Sequence, residues 1–104
     1  IVRATKRVVQ AVKAGTLDIK MMDEKTFASF LDTSGQSDPD LIIRTAGELR
    51  LSNFLTWQSS YSEFFFTDLA WPDFYPKDLS KAIAEFFKRN RKFGKQTTSI
   101  FQRK

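Results

Sequence analysis

The feature that most restricts the fold is the run Asp40-Leu41-Ile42-Ile43-Arg44, three large apolar residues in succession between turn-forming neighbours. A strand with one wet face alternates apolar and polar residues. A short continuous run instead fits a strand covered on both faces, as in a parallel sheet. Tyr61 to Thr67 reads as a second strand, because it is short and aromatic side chains suit a pleated surface. Around these lie helical patterns. Ile1, Thr5, Val8, Val9 and Val12 recur at helical spacing, opposite Arg3, Lys6, Arg7, Gln10 and Lys13, until Gly15 offers a C-terminal cap. Asp23 is an N-cap candidate for a helix through Phe27, Phe30 and Leu31, and Thr33 to Pro39 is a loop by composition. Ser52 or Asn53 opens a helix through Phe54, Leu55, Trp57 and Gln58. Trp71 to Pro76 is a rigid turn, and Lys77 begins a helix with Leu79, Ile83, Phe86 and Phe87 on one face. Helix, strand, helix, strand, helix makes an α/β arrangement with crossover helices. Two parallel strands alone are a poor sheet, so further strands are expected from elsewhere. The absence of a cap and of an initiating Met at Ile1 points to a fragment.

Composition narrows the chemistry. The chain has 104 residues, enough for one small domain, and no Cys or His. Disulfides, thiolate metal sites and imidazole bases are thereby excluded, leaving carboxylates, Arg, Lys, Ser and a hard metal. A formal net charge of +5 favours an anionic partner. No apolar run approaches the ~20 residues of a membrane span, and residues 1–20 lack the pattern of a signal peptide, so a cytosolic protein is expected. Eleven Phe in so short a chain suggest a partner surface or an apolar cavity, although ordinary core packing accounts for most individual rings.

Ligands of open α/β sheets sit beyond the carboxyl ends of the strands, and Arg44 falls there. Arg50 follows six residues on, just before the Ser52-Asn53 helix start, where backbone N–H groups and a hydroxyl favour a phosphate. Two guanidiniums can hold a diphosphate by paired, charge-assisted hydrogen bonds. On spacing alone, an Arg44–Glu48 ion pair with Ser52 as a simple cap is the commoner arrangement. Glu63 lies among Tyr61, Phe64, Phe65 and Phe66, where a carboxylate needs a partner or a cation. Magnesium held through a carboxylate and substrate phosphates fits, as does a salt bridge to a nearby Arg or a place on the solvent face.

The segments Asp38 to Glu48, Arg50 to Gln58, and Tyr61 to Asp68 through Trp71-Pro72-Asp73-Phe74 resemble the cis-prenyltransferases, the family of undecaprenyl and dehydrodolichyl diphosphate synthases. The likeness runs from Ile1 to Gly94, with 95–104 a polar tail. It implies the C-terminal half of a parallel-sheet fold with crossover helices, and a transferase that condenses isopentenyl diphosphate onto an allylic diphosphate such as farnesyl diphosphate, with Mg²⁺. Arg44, Arg50 and Ser52 match the positions that hold the isopentenyl diphosphate head group, and Glu63 matches the metal-binding glutamate. Glu48 and Asn53 belong to the same motif. Lys92-Phe93-Gly94 stands where the family has Arg-x-Gly, which reaches across a dimer to the substrate phosphates, and Leu49 replaces a polar residue. The family's Asp-Gly-Asn-Gly-Arg segment, with the aspartate and phosphate loop for the allylic substrate, is not among these residues. No catalytic residue is therefore assigned in this chain, which is expected to be inactive by itself. The resemblance also implies a dimer, an apolar tunnel, and membrane contact through the product, at the endoplasmic reticulum or plastid in a eukaryote. Two other readings compete: a non-catalytic subunit of the same fold, and a nucleic-acid binder using the basic cluster Lys88 to Lys95. The second is disfavoured, because basic residues at a helix end commonly complement its dipole.

Overall fold

The computed structural model describes residues 1–94 and divides into two compact units, Ile1–Ser37 and a second that starts at Asp38. The tail expected over 95–104 lies outside the described residues.

In the first unit α1 (Val2–Lys13) starts at Ile1 without a side-chain cap and ends as its sequence dictates. Gly15 takes a φ of +76°, and the N–H groups of Gly15 and Thr16 return to the carbonyls of Val12 and Ala11 at 3.1 and 3.0 Å. This closing pattern needs a residue tolerant of the left-handed region, which glycine is. The inward stripe differs from the expected one. Ala4 and Val8, four residues apart, are buried, whereas Val9 and Val12 are exposed. A 3₁₀ turn over Ile19–Met21 follows, with the Asp18 carboxylate accepting from the Lys20 N–H. Asp23 caps α2 (Glu24–Ala28) by accepting from the Thr26 N–H at 2.7 Å. α2 is shorter than its apolar pattern predicts, since the chain tightens into three-residue turns and the Ser29 hydroxyl donates to the Thr26 carbonyl at 2.6 Å. Leu31 is buried beyond the helix end, and Asp32 accepts from both Arg3 and Arg7 of α1.

The second unit is built on a two-stranded parallel sheet, β1 (Leu41–Arg44) and β2 (Glu63–Phe66), in the register Leu41↔Glu63 through Arg44↔Phe66. Ile42 is its buried centre. The crossover helix expected over Ser52 to Gln58 is not formed. Ser52, Asn53 and Leu55 have φ values of +52°, +66° and +48°, so the connection runs through turns. The loop leaving β1 is instead tied to the segment leaving β2: the N–H groups of Ala46 and Gly47 donate to the carbonyls of Leu69 and Thr67 at 2.7 and 2.9 Å. The turn at Trp71–Asp73 is a 3₁₀ turn, and α3 (Pro76–Lys88) opens with proline at its first position, where no N–H is needed. The Asp78 carboxylate caps it by accepting from the Tyr75 N–H at 2.9 Å. Ala82 is fully buried and Phe86 half-buried, while Leu79, Ile83 and Phe87, expected on the same face, remain exposed. No large side chain is fully buried among the described residues.

Candidate functional site

The parallel register decides which predicted residues can meet. Arg44 ends β1 opposite Phe66, whereas Glu63 begins β2 opposite Leu41. Three residues of strand separate the two levels, about 10 Å.

At the carboxyl end, Arg44 is half-buried and its Nη1 donates to the carbonyls of Arg50 and Leu51 at 2.8 and 3.1 Å. It is not paired with Glu48, the commoner arrangement on spacing alone; Glu48 accepts from Arg50 instead. Arg44, Glu48 and Arg50 thus form one cluster, with the Arg50 side chain 68% exposed at its outer edge. Ser52 and Asn53 follow directly, both exposed, and the Thr56 hydroxyl donates to Asn53 Oδ1 at 3.4 Å. Ala46, Ser52, Asn53 and Leu55 all occupy the left-handed region, which costs a residue with a side chain about 1–2 kcal/mol, least for Asn. Strain held in one short loop is a common mark of a binding segment. Gly47, at a φ of +69°, belongs there for a second reason: a Cβ would meet the Asp68 carboxylate at 3.2 Å.

Glu63 stands apart at the amino edge. Arg89 approaches it at 3.7 Å, so the salt bridge to a nearby Arg is the arrangement found. Arg89 also pairs with Glu85 at 2.9 Å and donates to the Phe64 carbonyl. Lys92 lies on this side too and is exposed. Its neighbour Arg91, which the sequence offered only as part of a basic cluster, bonds Asp40 Oδ1 at 2.6 Å and the Tyr61 carbonyl at 2.8 Å. The only sequence signal for either structural arginine is its place just past the end of α3. No group of three or more acidic residues suited to holding a metal occurs among the described residues. Glu63 alone fits as a single ligand, since Mg²⁺ is commonly held by one or two carboxylates with water and substrate phosphate oxygens.

Comparison with known proteins places this geometry. The undecaprenyl diphosphate synthase family matches over residues 1–94. An isoprenyl transferase of Chlorobaculum tepidum is 48% identical over 100 residues, covering 96% of this chain and 38% of that protein. A farnesyl-diphosphate-specific ditrans,polycis-undecaprenyl-diphosphate synthase of Legionella pneumophila is 48% identical over 99 residues, 95% of this chain and 42% of that one. The crystal structure of lavandulyl diphosphate synthase from Lavandula x intermedia, in complex with dimethylallyl diphosphate, superposes with a TM-score of 0.87 at 43% identity, over 91% of this chain and 41% of that one. The chain spans about two fifths of the length of these relatives. Sequence likeness and fold agree over nearly every described residue, and the chain belongs to the undecaprenyl diphosphate synthase family of prenyltransferases.

Proposed function

We propose that the protein is a cis-prenyltransferase and that this chain carries its isopentenyl diphosphate half-site. The observation that carries this reading is the Arg44–Glu48–Arg50 cluster on the strained loop beyond the carboxyl end of the sheet. Arg44 fixes the loop through the carbonyls of Arg50 and Leu51. Arg50, whose bond to Glu48 is exposed and exchangeable, turns to the diphosphate, and the Ser52 hydroxyl and Asn53 side chain stand beside it. Holding one diphosphate still brings the isopentenyl double bond next to an allylic diphosphate such as farnesyl diphosphate, converting an encounter into a positioned reaction. Mg²⁺ is the implied cofactor, with Glu63 as the ligand from this chain, and supplies charge neutralisation at the departing diphosphate.

A dimeric enzyme is proposed from the family likeness, in which the Arg-x-Gly position that Lys92 occupies reaches the substrate phosphates of the other copy. The aspartate and phosphate loop for the allylic substrate belong to the N-terminal part of the fold, so the 104 residues by themselves are expected to be inactive. Among the described residues no helix is long and apolar enough to cross a membrane, and a cytoplasmic enzyme with membrane contact through its product is the compartment proposed.

The test uses the assembled enzyme, this chain joined to the N-terminal part of a relative. Arg50→Ala should raise KM for isopentenyl diphosphate about 30-fold, or ~2 kcal/mol for a lost charge-assisted pair, with little effect on KM for farnesyl diphosphate. Unchanged kinetics would overturn the assignment. An assembled enzyme without any turnover would favour a non-catalytic subunit.

A further inference from the structure

Arg91 is the most heavily engaged side chain that the proposed reaction leaves without a role. It lies past α3 in a stretch that is neither helix nor strand, yet its side chain is only 20% exposed. Its guanidinium joins three separate pieces of the second unit. Nη1 donates to Asp40 Oδ1 at the start of β1, and Nη2 donates to the Tyr61 carbonyl just before β2. Its Cζ lies over two rings, 4.3 Å from the centre of Phe93 and 5.8 Å from that of Phe86 on α3. The residues that follow are more exposed but meet the Tyr61 ring. Phe93 and Gly94 take φ values of +49° and +82°, the Tyr61 and Phe93 rings are 6.3 Å apart, and a Cβ at Gly94 would meet the Tyr61 ring at 3.2 Å. Lys92 sits exposed between these anchored neighbours.

We propose that Arg91 is a positioning residue, which clamps the 90–94 segment to the amino edge of the sheet and so presents Lys92 to the substrate diphosphate. This rests on Lys92 meeting a diphosphate in the assembled enzyme. A lysine is a point charge on a flexible stem, without the fork that lets arginine fix its own orientation. Where its ammonium group can reach is therefore set by the backbone that carries it, and here that backbone has no regular hydrogen bonding of its own. Only a flat, forked cation can bond Asp40 and the Tyr61 carbonyl together while lying on Phe93.

The experiment is a double-mutant cycle in the assembled enzyme with Arg91→Lys, Lys92→Gln and the pair, following KM for isopentenyl diphosphate and the melting temperature. Arg91→Lys should raise KM on the order of tenfold, since an ångström of misplacement can cost up to about 100-fold. In the Lys92→Gln background the same change should leave KM where Lys92→Gln already put it, while lowering the melting temperature as much as before. Asp40→Asn, which removes one arm of the clamp, should repeat this coupling more weakly and serves if Arg91→Lys does not fold. An equal KM rise in both backgrounds would make Arg91 purely structural and overturn the proposal. So would a Lys92→Gln variant with unchanged KM, an outcome that leaves the Arg50→Ala test of the diphosphate site intact.

Discussion

At the amino edge of the sheet Arg89 and Arg91 commit their guanidiniums to carboxylates and carbonyls of β2, of α3 and of the residues that lead into the two strands, and only 29% and 20% of these side chains stay exposed. At the carboxyl end Arg44 and Arg50 bind their own loop, one through main-chain carbonyls and the other through Glu48 two residues away. The arginines of the amino edge cross-link it over long sequence distances; those of the carboxyl end serve a strained, exposed loop. A part-buried arginine with partners distant in sequence holds the fold, and its loss is read in stability. An exposed arginine with a partner two residues away, such as Arg50, can exchange it for a ligand at little cost, and its loss is read in binding.

Arg44 tests this contrast hardest, because it belongs to the open end yet anchors the loop. Arg44→Ala in the assembled enzyme should lower kcat/KM at least about 100-fold, or ~3 kcal/mol, since it removes a charged donor and frees the segment carrying Arg50 and Ser52. A loss no greater than that of Arg50→Ala would show that the loop holds itself. At the other end, Glu63→Gln should cost about 1 kcal/mol in urea unfolding, as expected for a part-exposed ion pair. It should also raise the Mg²⁺ concentration that supports turnover; a stability loss with unchanged Mg²⁺ dependence would assign Glu63 to the cross-link alone. Leu55→Gly sharpens the picture of the open end. In a left-handed turn the relief of ~1–2 kcal/mol offsets the lost apolar contact, leaving stability nearly unchanged, whereas in a helix the same change would cost roughly 2 kcal/mol or more.

The smallest effect lies in the first unit, where arginine cross-links are exposed. The Arg3 and then the Arg7 guanidinium, both bonded to Asp32, hold its carboxyl below the usual carboxylate range. The Thr26 hydroxyl and N–H do the same for Asp23. A carboxyl depressed in the folded state stabilises above its unfolded pKa, near 3.9, and that contribution disappears as pH falls through the folded value. Helical circular dichroism of the unit should therefore be level above about pH 5 and decline only below the ordinary carboxylate range. Asp32→Asn should flatten that acid decline while lowering the melting temperature only slightly, because water and salt screen the pair. A steep loss between pH 5 and 7 would contradict both assignments.

Much of this architecture was legible because it depends on neighbours close in sequence. The continuous run Leu41 to Ile43 announced a strand, although only Ile42 in it is buried here, Asp23 and Gly15 announced the ends they cap, and the absence of His and Cys left the site chemistry to Arg, Lys, Ser, carboxylates and a hard metal. The cluster around Arg44 and Arg50 was also visible, since its members lie within eight residues of one another. The helix expected at Ser52 to Gln58 shows where local reading ends. Its capping residues suggest a helix start, yet the loop on which it sits is held by Ala46 and Gly47 against Leu69 and Thr67, partners that no local pattern identifies.

The sequence by itself determined the strands, the caps at Gly15 and Asp23 and the inventory of charges, because each is decided within a few residues by propensity, hydrogen bonding and hydrophobic period. Only the tertiary structure decided which charges remain for a ligand. Parallel pairing put Glu63 at the edge opposite Arg44, and the chain path brought Arg91 to Asp40 across 51 positions of sequence, closing a contact whose energy depends on distance in space.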